Sequence, residues 1–252
     1  VPPPSLRALR FAAGRAYADL WRALHDALWR VAPGSERRAR TLPRLPPAPV
    51  HRKYGLRVGQ PVDRVYIERF LSAHAADVRG RVLEILDPVY ARRYGGAAVT
   101  RVDVLDLDAG NPQATIVGDF VTGAGVPRDA FDCFICTQTL SLIHDVRAAV
   151  DGAWRLLAPG GVLLLTVPGI SQQADPDAEA FPDHWRFTKR AVAQLLADRF
   201  GAEHVEVGAE GTVAASAAFL YGLPADAVDP ALLDPHDPDY EMVVYARAQK
   251  AI

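Results

Sequence analysis

From position 81 onward the chain alternates short apolar runs with amphipathic stretches. RVLEIL (81–86), VTRVDVLDL (99–107), ATIVGDF (114–120), FDCFICTQTL (131–140) and GVLLLTVP (161–168) are almost continuously apolar. Runs of this length predict strands covered on both faces. Between the fourth and fifth, Val146 to Leu157 has helical spacing and is followed by Ala-Pro-Gly-Gly as a stop. Thr188 to Phe200 predicts a further helix, and HVEVGA and YEMVVYARAQ two closing strands. Strand–helix alternation implies a doubly wound, mostly parallel α/β sheet with right-handed crossovers. Upstream, Pro61 to Ala76 predicts a helix with Val62, Val65, Tyr66, Phe70 and Leu71 inward, placed to cover a site, with Gly59-Gln60-Pro61 as its closing loop.

The N-terminal region follows another pattern. Leu6, Leu9, Ala13, Tyr17, Leu20, Leu24, Leu28 and Val31 recur in steps of three and four, a single stripe on a helix. Arg7, Arg10, Arg15, Arg22 and Arg30 lie off that stripe, and Pro33-Gly34 ends it. A stiff, extended connector, TLPRLPPAPV, follows. The expected organisation is residues 1–49 as a basic amphipathic helix with its connector, and residues 50–252 as the α/β body. The helix packs on the body, docks a protein partner or lies on a membrane surface. No run of about 18 apolar residues exists, so no membrane span is expected, and the N-terminus lacks the compact apolar core of a secretory signal.

Charge and cysteine content sharpen this picture. Residues 1–57 carry 12 Lys/Arg against 3 Asp/Glu, a net of +9; the remainder carries 16 against 27, a net of −11. A nucleic-acid enzyme would carry basic residues around its active domain, which here is acidic. Cys133 and Cys136 form a CxxC, but FDCFICTQ has the character of a core strand, where residues three apart point to opposite faces. Two buried thiols are expected and no metal. With nothing implying disulfides, a reducing cytoplasm is the default.

The segment FDCFICTQTLSLIHDVRAAVDGAWRLLAPGGVLLLTVPG resembles class I S-adenosylmethionine-dependent methyltransferases: a strand opened by Phe-Asp, a turn, a helix, Leu-x-Pro-Gly-Gly, then a strand. HWRFT after the fifth strand and HRKYGLRVGQPVDRVYIERFL before the first narrow the likeness to a glycosyltransferase-associated branch of methyltransferase-like domains, over about residues 50–250. The resemblance implies a Rossmann-like fold with S-adenosylmethionine as cofactor. It also implies site positions at the carboxyl ends of the strands, where such sheets bind ligands. Glu84 on the first strand would meet the methionyl amine. Asp103, 19 positions on, would close the second strand against the ribose. Asp119 would face the adenine amine, with Phe120 on its ring. Gln138 and Thr139 would border the transferred methyl.

The first loop departs from the family. LDPVYARRYGG has no glycine until Gly95, where methyltransferases turn on glycines. Asp87-Pro88 instead suggests a helix start, placing Asp87, Tyr90, Arg92 and Arg93 by the cofactor. For chemistry, His144 is the candidate base, and His184, Trp185 and Arg186 a candidate substrate wall. The first function implied is methylation of a small molecule, a sugar or natural-product intermediate. A second is an enzyme of the same fold that does not methylate, with Arg92 and Arg93 holding a phosphate or sulfate while the acids hold an amine for elimination or ring closure. A third is a non-catalytic scaffold subunit. Cofactor affinity separates the first from the others, and turnover without cofactor separates the second from the third.

Overall fold

The computed structural model describes residues 46–174 and 182–252. The expected N-terminal helix and most of its connector lie outside the described residues. Seven strands form one sheet: β1 (Gly80–Ile85), β2 (Val99–Asp106), β3 (Ile116–Val117), β4 (Phe131–Thr137), β5 (Leu157–Pro168), β6 (Val205–Glu210) and β7 (Val243–Gln249). Their order is β3-β2-β1-β4-β5-β7-β6. β1 to β5 run parallel, and β7 is antiparallel to both β5 and β6. The winding direction reverses between β1 and β4, so the carboxyl ends of those two strands flank the crevice of a doubly wound sheet.

Alternation along the strands builds a core on each face. Leu83, Phe134 and Leu163 meet Ala149, Val150 and Ala153 of α3 (Val146–Leu156) and Leu196 and Phe200 of α4 (Lys189–Phe200). Their neighbours Val82, Ile135 and Leu164 face Tyr66, Ile67 and Phe70 of α1 (Val62–Ala73), Ala91 of α2 (Val89–Gly95) and Phe219 of α5 (Val213–Leu220). Each fully buried large side chain contributes about 1.5–3 kcal/mol. These two layers therefore outweigh the exposed ion pairs, which are worth about 0–1 kcal/mol each. Cys133 belongs to one layer and Cys136 to the other. Both thiols are free, and burial pushes Cys136 up to about 12. Opposite faces keep the pair from sharing a ligand.

Side-chain caps start three helices where the sequence offers them. Asp145, Thr188 and Thr212 accept the amides of Ala148, Ala191 and Ala215. Several boundaries differ from expectation. The third strand shrinks to Ile116–Val117, because Gly118 and Asp119 already turn back toward Ala124 and Gly125. Ala-Pro-Gly-Gly lies inside β5 and does not follow the helix as a loop, since Leu157 is already extended at φ −69°, ψ 136°. The run VAASAAFL forms α5, which sequence analysis missed; it is apolar nearly all round and shows no stripe. Among the described residues no helix is long and apolar enough to cross a membrane.

Candidate active site

The carboxyl edge of the sheet offers two adjoining regions. The first lies where β1 and β2 end. Leu86, directly after β1, has φ +69°, a left-handed conformation costing a residue with a Cβ about 1–2 kcal/mol. Leucine thus makes the turn that glycine makes elsewhere, and its side chain stays 51% exposed. Leu86→Gly should relieve this strain and lose little burial, while glycine adds about 0.5–1 kcal/mol of unfolded-state entropy. The expected stability is at or slightly above wild type by thermal melting. A loss above about 1 kcal/mol would show that the Leu86 side chain is anchored. Val89 and Leu107 are also exposed, 53% and 61%, so the adjoining ends of β1 and β2 carry an apolar shelf.

Beneath the shelf, Glu84 is only 3% exposed. Its Oε1 accepts the Tyr90 amide at 3.0 Å and its Oε2 the Ala91 amide at 2.8 Å. Asp87 Oδ1 accepts the Val89 amide at 3.2 Å. The first turn of α2 thus has partners for its amides, and the helix begins at Val89 with Pro88 as its cap position, one residue later than Asp87-Pro88 suggested. Burial pushes Glu84 up to about 7, although the two amide bonds oppose the shift. The Tyr90 ring belongs to the core, and its hydroxyl accepts from Arg64 Nη1 at 3.4 Å. Arg93 pairs with Glu68 at 2.8 Å, while Arg92 is exposed. The phosphate or sulfate pocket suggested by the sequence is not assembled: α2's first amides are taken and Arg93 is drawn to Glu68.

The other expected acids fare differently. A carboxylate offers about four acceptor positions. Asp103 uses that many: Arg81 Nε, Arg101 Nε and Nη2, and Thr115 Oγ1, all at 2.7–3.1 Å. It is fully buried and pairs with Leu83 across the ladder, so its side chain lies on the sheet face opposite to Glu84. Nor does it close β2, which runs on to Asp106. Asp106 is the strand-end acid. It accepts the Asp108 amide at 2.9 Å and Asn111 Nδ2 at 2.7 Å, leaving capacity for a ligand. Asp119 accepts the Val121 amide and the Thr122 hydroxyl. Phe120 is buried and packs edge-on against Phe134, 5.6 Å between centroids, so its ring serves the core.

The second region is a cleft of about 180 Å³ at the ends of β4 and β5. Tyr54, Asp63 and Arg64 form one wall, Gln138, Ser141 and Leu142 another, and Ser171, Asp183 and Arg186 a third. Phe219, Met242 and Val243 supply apolar lining. Gln138 and Tyr54 both have left-handed backbones, φ +52° and +61°, and strain of this kind gathers at functional sites. Thr139 turns its hydroxyl to the Thr137 carbonyl, 3.0 Å away.

The HWR segment frames this cleft. His184 and Trp185 donate their amides to the Ser141 carbonyl, and the Trp185 indole donates to Ile143 and His144. Arg186 spends all five guanidinium N–H groups: two reach the Asp183 carboxylate and three the carbonyls of Ser171, Gln172 and Trp185. Arg186 therefore holds the rim and has no donor left for a substrate. Burial alone would raise Asp183, yet the bonds from Arg186 hold it below its ordinary value. His144 is exposed against His184, 5.2 Å between rings, and does not line the cleft. Asp63 does line it, and sequence analysis missed it. The signal was present: three and four positions before Tyr66 and Ile67, an acid sits beside the buried stripe of α1.

Comparison with known proteins adds the family. A family model described as "Methyltransferase domain" matches residues 66–230. The chain belongs to this methyltransferase-domain family. None of the curated proteins compared matches it. Among solved structures, an S-adenosylmethionine-dependent methyltransferase from Mesorhizobium loti is 14% identical over 75% of this chain and 98% of its own, with TM-score 0.48. The N-methyltransferase NodS of Bradyrhizobium japonicum is 15% identical over 76% and 98%, TM-score 0.45. Phosphoethanolamine N-methyltransferase 2 of Haemonchus contortus is 14% identical over 69% of this chain, TM-score 0.43, and the match spans about half of its length, 49%. The family's reaction is methyl transfer from S-adenosylmethionine, whose amine and hydroxyl groups call for acceptors. An apolar shelf adjoins a buried carboxyl and a strand-end carboxylate with spare acceptor capacity.

Proposed function

We propose that this methyltransferase acts on a small molecule held in the cleft between α1 and the ends of β4 and β5. The observation carrying this reading is the cleft itself. At about 180 Å³, with polar and apolar walls, it suits a compact acceptor better than a polymer chain. Leu86, Val89 and Leu107 would lie against the cofactor. Asp106 would take the ribose hydroxyls in place of Asp103, Asp119 the adenine amine, and Glu84 the methionyl amine. Asp87, Tyr90 and Arg92 would shape the adjoining turn. Bound there, S-adenosylmethionine supplies an electrophilic methyl group. The chain contributes positioning: Gln138, which lines the cleft, and Thr139 would border the transferred methyl, and the Arg186 clamp holds the outer wall. Positioning of this kind can supply much of the rate of a displacement.

Residues 1–49, with 9 Arg against 3 Asp/Glu and a net of +6, would form a separate appendage that suits a protein partner of acidic surface, in a cytoplasmic setting. Calorimetric titration with S-adenosylhomocysteine tests the site. Binding to wild type is expected, and Asp106→Asn should weaken it at least about tenfold, roughly 1.4 kcal/mol, while Asp103→Asn should lower stability. Equal affinity in Asp106→Asn and wild type would remove Asp106 from the site.

A further inference from the structure

We infer that Asp63 is the group that accepts the hydroxyl of the methyl acceptor, and that this acceptor is a small, neutral, hydroxylated molecule. The inference rests on the reading of the cleft as the acceptor site. Asp63 stands in the first turn of α1, the ordinary place of an acid at a helix start. That place leaves one oxygen unexplained. Asp63 Oδ1 is shut off from solvent and has no hydrogen-bond partner, yet the side chain lines the cleft. A buried acceptor without a donor is costly and rare. It is accounted for where a ligand supplies the donor. Arg64, the nearest cation, offers its Nη1 to the Tyr90 hydroxyl. Burial pushes the Asp63 carboxyl up, which strengthens it as an acceptor.

The remaining lining defines the ligand class. Asp183 and Arg186 neutralise each other in a two-pronged pair. Asp63 and Arg64 balance as the second acid and base, and among the described residues no other ionic side chain lines the cleft. A described lining with no excess charge favours a neutral ligand over an anion or an ammonium. The Tyr54 hydroxyl and the Gln138 amide add hydrogen-bonding groups, while Phe219, Leu142 and Met242 offer apolar contact. A molecule with a hydroxylated edge and an apolar face matches both walls.

The test uses the full chain, with and without saturating S-adenosylhomocysteine. The probes are the methyl glycosides of glucose, galactose, mannose and rhamnose, together with myo-inositol, followed by saturation-transfer NMR. At least one probe should bind wild type and lose at least tenfold in affinity in Asp63→Asn and Asp63→Ala, with S-adenosylhomocysteine affinity unchanged. Asp63→Asn should also melt no lower than wild type at pH 8, because it removes a charge that burial disfavours. Binding by none of the probes overturns the ligand class. Equal binding in wild type and both variants overturns the role of Asp63. A fall of several degrees in the melting temperature of Asp63→Asn assigns Asp63 to the fold instead and overturns the inference. Failure of wild type to bind S-adenosylhomocysteine would count against the cofactor site alone, since the probe titrations without it still score Asp63.

Discussion

Glu84→Ala should destabilise the protein by about 4 kcal/mol at pH 5 and by only about 1 kcal/mol at pH 8. Two effects oppose each other. Removing the carboxyl strands the amides of Tyr90 and Ala91, buried in the first turn of α2, at about 1–3 kcal/mol each. Against this stands the cost of keeping an ionised carboxylate where burial has raised its pKa from 4.5 to about 7. A group with a raised folded-state pKa contributes stability that is full below the unfolded value, near 4.5. That stability is lost as pH rises to about 7. At roughly 1.4 kcal/mol per unit the difference is about 3 kcal/mol. Below pH 5 wild-type Glu84 is neutral and still accepts both amides, so the variant loses the full amount. At pH 8 most of that loss is offset. Urea melts at the two pH values check this, and equal losses at both would sink the account of Glu84 as a buried, proton-binding cap. The same linkage predicts that a cationic amine bound against Glu84 displaces a proton. Cofactor affinity should therefore rise as pH climbs toward 7 and flatten above it.

The second large effect belongs to Arg186. Arg186→Ala removes five hydrogen bonds at once and leaves the nearly buried Asp183 carboxylate, among the described residues, with only the Ala174 amide. Removing one partner of a buried pair costs about 3–5 kcal/mol. With the Arg186 side chain 29% exposed, the lower end, about 3 kcal/mol, is expected, a fall of roughly 6–12 °C in melting temperature. The wall carrying Ser171 and Asp183 should loosen with it, so acceptor binding should fall further than cofactor binding. Arg186→Lys should recover little, because an ammonium has three donors and no fork to span the carboxylate and three carbonyls. A lysine variant as stable as wild type would show that charge, not geometry, holds the rim. This outcome also separates two roles for HWRFT: a clamp loses stability and binding together, whereas a catalytic arginine would lose turnover in a protein of normal stability.

Local sequence decided much of this molecule. Near-continuous apolar runs marked the five parallel strands because both sheet faces are covered. The helices expected from Val146 and from Thr188 do start there, where the side-chain oxygens of Asp145 and Thr188 cap free amides. The spacing of Cys133 and Cys136 placed them on opposite faces for the geometric reason that strands alternate. The family was legible too, in Phe-Asp, Leu-x-Pro-Gly-Gly and the strand order they imply. What sequence alone did not decide was which polar atoms remain unspent. Glu84, Asp103 and Asp119 are alike in the chain, acids in or beside apolar runs. Only the packed structure shows Asp103 saturated by Arg81, Arg101 and Thr115, and Glu84 turned into a cap. Arg186 and Asp63 exchanged importance for the same reason. The arginine's donors are consumed by carbonyls brought near by the chain's return past β5, while the aspartate, whose side chain lines a cleft, keeps a buried oxygen without a partner. Periodicity is a property of neighbours along the chain and can be read there. Hydrogen-bond saturation is a property of neighbours in space, and the fold assigns it only when distant segments meet.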